Sequence, residues 1–159
     1  MYRKLNQPDL SPEKFELPVA IELSSENRWV IMASLIPWSE FEEEYAQNFS
    51  ATMGAVAKSF RMALGALIIQ ERLGTSDRET VEQIKENPYL QYFIGMSAYS
   101  DLKPFEASMM VYFRKRIDTN LVDRVNKKMV KDITEKTEKE ENEKKKKNWE
   151  QKKPKIEGS

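Results

Sequence analysis

Histidine and cysteine are both missing from the 159 residues. Without cysteine there is no disulfide framework and no thiolate metal site. Without histidine the commonest general base and the commonest metal ligand are gone too. Glycine and proline are scarce, at five and seven, so each one punctuates the chain. No window approaches the run of about 18 apolar residues that marks a membrane span. The opening MYRKLNQPDLSPEKF has no apolar stretch, so no secretory signal is expected. There is no phosphate-binding loop, no G-x-S-x-G and no nucleophile–base pair. Glu42, Glu43, Glu44 and Asp101 offer carboxylates, but nothing in the sequence brings them together. No catalytic residue, metal site, cofactor or membrane partner is expected, and the chain reads as cytoplasmic.

What is present is charge, and it is sorted. Hydrophobic residues make up 40% and charged residues 33%, and the formal net charge is zero. Residues 1–56 carry 4 basic and 9 acidic groups (net −5), residues 57–118 carry 9 and 8 (net +1), and residues 119–159 carry 13 and 9 (net +4). A basic end suits a polyanion, though interleaved glutamates dilute it.

The periodicity is helical throughout, and nothing alternates as a strand does. Residues 1–24, with Pro8, Pro12 and Pro18, read as extended. Ser25 is expected to cap a helix from Glu26 to about Leu35, which Pro37 ends. A second helix from Trp38 to about Gln47 has Trp38, Phe41 and Tyr45 on one face and Glu40, Glu42, Glu43 and Glu44 on the other. After a linker from Phe49 to Lys58 comes Phe60–Leu73, apolar on more than one side and so expected to be buried. Gly74 suits its C-terminus. Ser76 and Glu79 form an S-x-x-E capping box for a helix from Asp77 to Glu86. Asn87-Pro88 stops that helix, and Tyr89–Gly95 is a short aromatic helix that reads as a cap on the core. A helix from Glu106 to Ile117 gathers Met110, Phe113 and Ile117 on one face and Ser108, Tyr112 and Lys115 on the other, with Arg114 and Arg116 on the flanks. The last helix begins near Thr119. Its apolar residues Leu121, Val125, Met129 and Ile133 give way from Glu135 onward to a charged helix or a disordered linker.

Two elements point toward nucleic acid. Phe60–Leu73, the turn Gly74–Ser76 and Asp77–Glu86 have the proportions of a helix-turn-helix, which any small bundle can also contain. The 106–117 helix packs one face, offers polar side chains on the other, and carries cations able to hold phosphates or guanine edges. An ordinary amphipathic helix with a cationic C-terminus has the same pattern. Lys144–Lys147 could contact phosphates nonspecifically, but the glutamates that precede it favour the alternative reading, a solvated linker.

Three segments also resemble the N-terminal region of InsH-type insertion-sequence transposases. They are NRWVIMASLIPWSEFEEEYAQNFS, then FRMALGALIIQERLGTSDRETVEQIKENPYLQYFIGM, then MMVYFRKRI followed by LVDRVNKKM. Together they span most of Asn27 to Met129, in order. The resemblance implies a helical N-terminal domain that binds the terminal inverted repeats of a mobile element in a bacterial cytosol or nucleoid. It also implies an RNase H-like domain further on, where three acidic residues hold two metal ions. On that pattern the chain stops before the first catalytic aspartate, as an interrupted gene, half of a split or frameshifted transposase, or a cut piece. The sequence departs from the pattern at Val56 and Ser59, where prolines are common. It departs again at Glu106-Ala107, where Asp-Pro is usual, and each change is expected to weaken its helix or loop by about 1 kcal/mol.

The expected architecture is therefore all-α: an extended segment (1–24), a small bundle with a helix-turn-helix-like core (25–133) and a charged helical or disordered tail (134–159). The expected function is non-catalytic binding of double-stranded DNA at transposon ends. Ser108, Tyr112, Arg114, Lys115 and Arg116 form the main contact helix, with Arg78, Lys85, Lys58 and Arg61 as further phosphate contacts. The alternatives are an assembly module that pairs with itself or with a full-length or second-half transposase, and an inert remnant.

Overall fold

The computed structural model describes residues 10–19, 22–47 and 58–153. Val56 and nearly all of the expected 49–58 linker lie outside them, as do the first nine and last six residues. The described residues form α1 (Arg28–Leu35), α2 (Trp38–Gln47), α3 (Phe60–Leu73), α4 (Asp77–Glu86), α5 (Pro88–Phe93), α6 (Met109–Arg116) and α7 (Thr119–Lys152), with no strand among them. The segment before α1 has a single 3-10 turn at Pro12–Lys14. It is held at Glu16, which donates to Ser97 O and accepts from Tyr99 N.

Helix boundaries follow side chains that satisfy the unpaired N–H groups of each first turn. Asn27, rather than Ser25, caps α1: its Oδ1 accepts from Trp29 N at 2.8 Å. The serines before it build a turn instead, with Ser24 Oγ accepting from Glu26 N. Ser59 caps α3 by accepting from Met62 N at 3.1 Å, so a residue expected to weaken the chain here instead supports this helix start. Gly74 closes α3 in the left-handed region at φ 64°. Ser76 accepts from Glu79 N to start α4, and Asn87 and Pro88 start α5. Thr80, fully buried, bonds Ser76 O and Thr75 Oγ1 and locks the α3–α4 corner.

The six-residue α5 sits at the centre. It packs on α1, α3 and α4, and Leu90, Phe93 and Ile94 are buried around it. Phe93 meets the rings of Trp29 and Trp38 edge-on, at 5.1 and 5.6 Å. These aromatics cap the core, as their sequence context suggests. Gln91 is 0% exposed. Its Nε2 donates to the carbonyls of Ile84, Lys85 and Ser100, and its Oε1 accepts from Ser100 N. One amide thus ties the end of α4 to the loop after α5, and its polar atoms are paired, as burial requires.

α3 reaches α5 through Gly65. A Cβ there would stand 3.1 Å from Ile94 Cγ2 and 3.3 Å from Ile94 Cα. One turn earlier, Arg61 extends over the end of α5, donating from Nε to Phe93 O (3.0 Å) and from Nη2 to Tyr92 O (2.9 Å). Its guanidinium lies 5.1 Å from the Trp38 ring and 5.3 Å from that of Tyr92. Burial lowers its pKa from the ordinary arginine value. Trp38 in turn donates to Ala33 O at the end of α1.

α7 is one unbroken helix of 34 residues. Leu121 and Val125 are buried, Met129 is half-buried and Ile133 is 39% exposed. Its first turns meet the acidic face of α2: Arg124 forms a two-pronged ion pair with Glu44, and Lys128 lies 3.9 Å from Glu40. Of the two readings of the tail, the helical one holds as far as Lys152.

Gly65→Ala should lower stability by about 1 kcal/mol: Ile94, whose Cγ2 and Cα would lie 3.1 and 3.3 Å from the new Cβ, must give way, at a cost of about 1–3 kcal/mol against a gain of about 1 kcal/mol from helix propensity. Gly74→Ala should cost about 1–2 kcal/mol from backbone strain alone, since nothing lies within 4 Å of its Cβ position. Urea unfolding of both variants checks this. A Gly65→Ala protein more stable than the parent by about 1 kcal/mol, the full helix-propensity gain, would refute the close approach.

Candidate nucleic-acid interface

α6 begins at Met109 rather than Glu106. Met109 N and Met110 N bond three residues back, to Glu106 O and Ala107 O, so a tight turn precedes the helix. Ser108 has helical backbone angles and its hydroxyl makes no capping bond. The packed face is the expected one: Met110, Phe113 and Ile117 are at most 5% exposed, and Phe113 stacks edge-on against Phe105 at 5.1 Å. Ser108, Tyr112 and Lys115 are exposed, Tyr112 at 48%. The cations of Lys115 and Arg116 lie 5.8 and 5.6 Å from the Tyr112 ring. Arg116 is half-buried beside Tyr45 of α2. Burial pushes the Tyr45 hydroxyl up to about 12, so it stays neutral at ordinary pH.

Arg114 is engaged within the fold. Its Nη1 and Nη2 donate to the two oxygens of Asp77, both at 2.8 Å, and Nη1 also reaches Gln70 Oε1 at 3.2 Å. Gln70 Nε2 donates to Asp77 Oδ1 at 2.7 Å. This bidentate clamp fastens α6 to the end of α3 and the first residue of α4. The Arg114 hydrogen bonds, then that from Gln70, pull the Asp77 carboxyl down to about 2.

The structure separates the remaining candidates. Arg78 is exposed beside the clamp and Lys85 is half-buried. They lie seven residues apart on one side of α4, about 10 Å along the axis. Lys58 stands before the opposite end of α3, about 18 Å along that helix from Gln70. Arg61 spends its guanidinium on α5 carbonyls, so it serves the fold where a phosphate contact was expected. Sequence reasoning missed this role and the Gln91 hub. The one available signal was that Arg61 and Gly65 share a face at i, i+4 spacing in the part of α3 that is otherwise apolar as far as Ile69.

Among the described residues no group of three or more acidic, histidine or cysteine side chains could hold a metal ion. No helix of the described residues is long and apolar enough to cross a membrane.

A family model described as "Transposase domain (DUF772)" matches residues 19–116, more than half of the chain. A Rhizobium meliloti protein described as "Uncharacterized protein ORF8 in nfe locus" is 34% identical over 101 residues, covering 64% of this chain and 48% of that protein. The chain thus spans about half the length of this curated relative. No solved structure matches.

Because the folded pKa of Asp77 lies below its ordinary 3.8, the clamp stabilises the protein above about pH 4. That stabilisation fades as pH falls through 3.8 toward 2. The side chains are partly solvated, at 44% for Arg114 and 31% for Asp77, so Asp77→Asn should cost only about 1 kcal/mol at pH 7. The gap between the urea midpoints of parent and variant should narrow by roughly half as the pH is lowered from 5 to about 3 and close toward about pH 2. A gap that stays constant over this range would rule out the ionic clamp as its source.

Proposed function

The chain belongs to the DUF772 family of transposase domains, and from that premise we propose that its helical domain binds DNA and recognises the terminal inverted repeats of an insertion sequence. The observation that carries this reading is the division of α6 into three parts. Met110, Phe113 and Ile117 bury one side, Arg114 is clamped to Asp77, and Ser108, Tyr112 and Lys115 project from the other side. A helix that reads DNA needs this combination, because base contacts specify only when the helix is held in a fixed register.

In this reading Lys115 and Arg116 hold phosphates, while Ser108 and Tyr112 face sugar or base edges. Arg78 and Lys85 add phosphate contacts from α4, the second helix of a helix-turn-helix pair with α3, and Lys58 contributes from the far end of α3. Arg114 acts by positioning α6 through Asp77. A second reading is favoured by Val130 and Ile133, 59% and 39% exposed on α7: the domain assembles transposase chains and touches DNA nonspecifically.

The test is a binding titration at two salt concentrations, comparing a duplex carrying the inverted repeat that flanks the encoding gene with a scrambled duplex. A preference of about a hundredfold or more for the repeat is expected. Lys115→Ala should weaken binding to both duplexes and flatten the salt dependence, by about one unit of log–log slope for each phosphate no longer neutralised. Tyr112→Ala should instead erode the preference itself. Equal, salt-sensitive binding to both duplexes, with mass rising sharply with concentration, would overturn the reading in favour of assembly.

A further inference from the structure

The family match ends at Arg116, and the longest helix of the chain lies wholly beyond it. α7 is seated at its base by buried Leu121 and Val125 and by the Arg124–Glu44 ion pair. From Ile133 to Lys153 every residue is exposed. The charges on this projecting part are sorted along the axis. Glu135, Glu138, Glu140, Glu141 and Glu143 outweigh Lys136 and Lys139; then Lys144–Lys147, Lys152 and Lys153 outweigh Glu150. Glu140, Glu141 and Glu143 each precede a lysine by four residues, the orientation that supports a helix in water. The acidic stretch therefore stiffens the arm and carries the lysines away from the body.

Within the basic stretch stands Trp149, 62% exposed, with Lys153 Nζ 4.3 Å from its ring centroid. A merely solvated rod has no need of a large aromatic at that place, whereas a Trp, apolar in body and carrying an N–H donor, suits the edge of an interface. Pairing of two such arms is disfavoured. Trp149 is the one apolar side chain between Glu135 and Lys152, and exposed ion pairs are too weak to offset the freedom that association removes.

We propose that Lys144–Lys147, with Trp149 and Lys153, form a second contact for duplex DNA phosphates, reached by the rigid arm of α7. From Thr119, three residues after the cationic end of α6, the middle of this block lies about 40 Å along the helix. That is slightly more than one turn of duplex, about 34–36 Å. The arm makes the domain grip DNA at two places, one reading sequence and one reading only the backbone. This proposal rests on the DNA-binding role of α6.

The full chain is titrated with the inverted-repeat duplex and with the same duplex extended by random sequence on each side. The extension should raise affinity at low salt by about tenfold or more and steepen the log–log salt slope by about three. Lys144→Gln, Lys145→Gln, Lys146→Gln and Lys147→Gln together should abolish that gain while leaving the affinity for the short duplex unchanged. The matching four Lys→Arg changes, which keep charge and helix, should preserve it. Of the three tryptophans Trp29 is buried and Trp38 half-buried, whereas Trp149 is 62% exposed, so the acrylamide quenching that is lost in Trp149→Phe reports on Trp149; only the extended duplex should protect it. No gain on extension, or a gain that survives the four glutamines, would overturn the proposal. So would binding of the lysine block to phosphatidylserine vesicles without a gain on DNA. Failure of the DNA-binding role itself looks different: the short repeat is then bound no better than a scrambled one.

Discussion

The bundle depends on how closely α3 can approach the end of α5. Gly65 removes the side chain that would strike Ile94. Arg61, one turn earlier on the same face, lays its guanidinium over the carbonyls of Tyr92 and Phe93. A short helix leaves its last carbonyls unpaired, and burying them without a partner is costly. Here a cation donates to both, sharing Tyr92 O with Gly95 N, and fits between two aromatic rings. Because Trp38 also holds the end of α1 and Phe93 stacks on Trp29, α1, α2, α3 and α5 are joined at this point.

The same bundle sorts its cations by task. Arg61 is internal, Arg114 clamps one helix to another, and Arg124 and Lys128 bind α7 to the acidic face of α2. Among those facing outward are Lys115, Arg78, Arg72, Lys103 and the lysines of the α7 arm. A near-neutral chain can still present locally basic surface, because its charges are sorted along the sequence and Lys144–Lys147 lie together on the projecting part of α7. Clamping by Arg114 also explains how a helix of eight residues, too short to be stable alone, can hold Ser108, Tyr112 and Lys115 in a fixed register.

Much of this was legible along the chain. The helices from α1 to α6, the left-handed Gly74, the Ser76 cap and the packed face of α6 follow from local periodicity and capping chemistry. These need only neighbours within four residues. Errors arose where two local solutions compete: Ser25 against Asn27 as the α1 cap, and the start of α6 at Glu106 against Met109. Ser59 reads as a loss beside a proline, yet its hydroxyl finds Met62 N.

Sequence alone determined the helical class, the order of the helices, the membership signals in FRMALGALIIQERLGTSDRETVEQIKENPYLQYFIGM, and which face of each helix packs. Tertiary structure decided which polar residues serve the fold and which face outward. Arg61, Arg114 and Gln91 look like surface residues in a linear reading, because their partners lie 32, 37 and up to 9 positions away. The physical reason is that a charged side chain pairs with whatever the fold brings within about 3 Å, and periodicity within one helix carries no information about that distance.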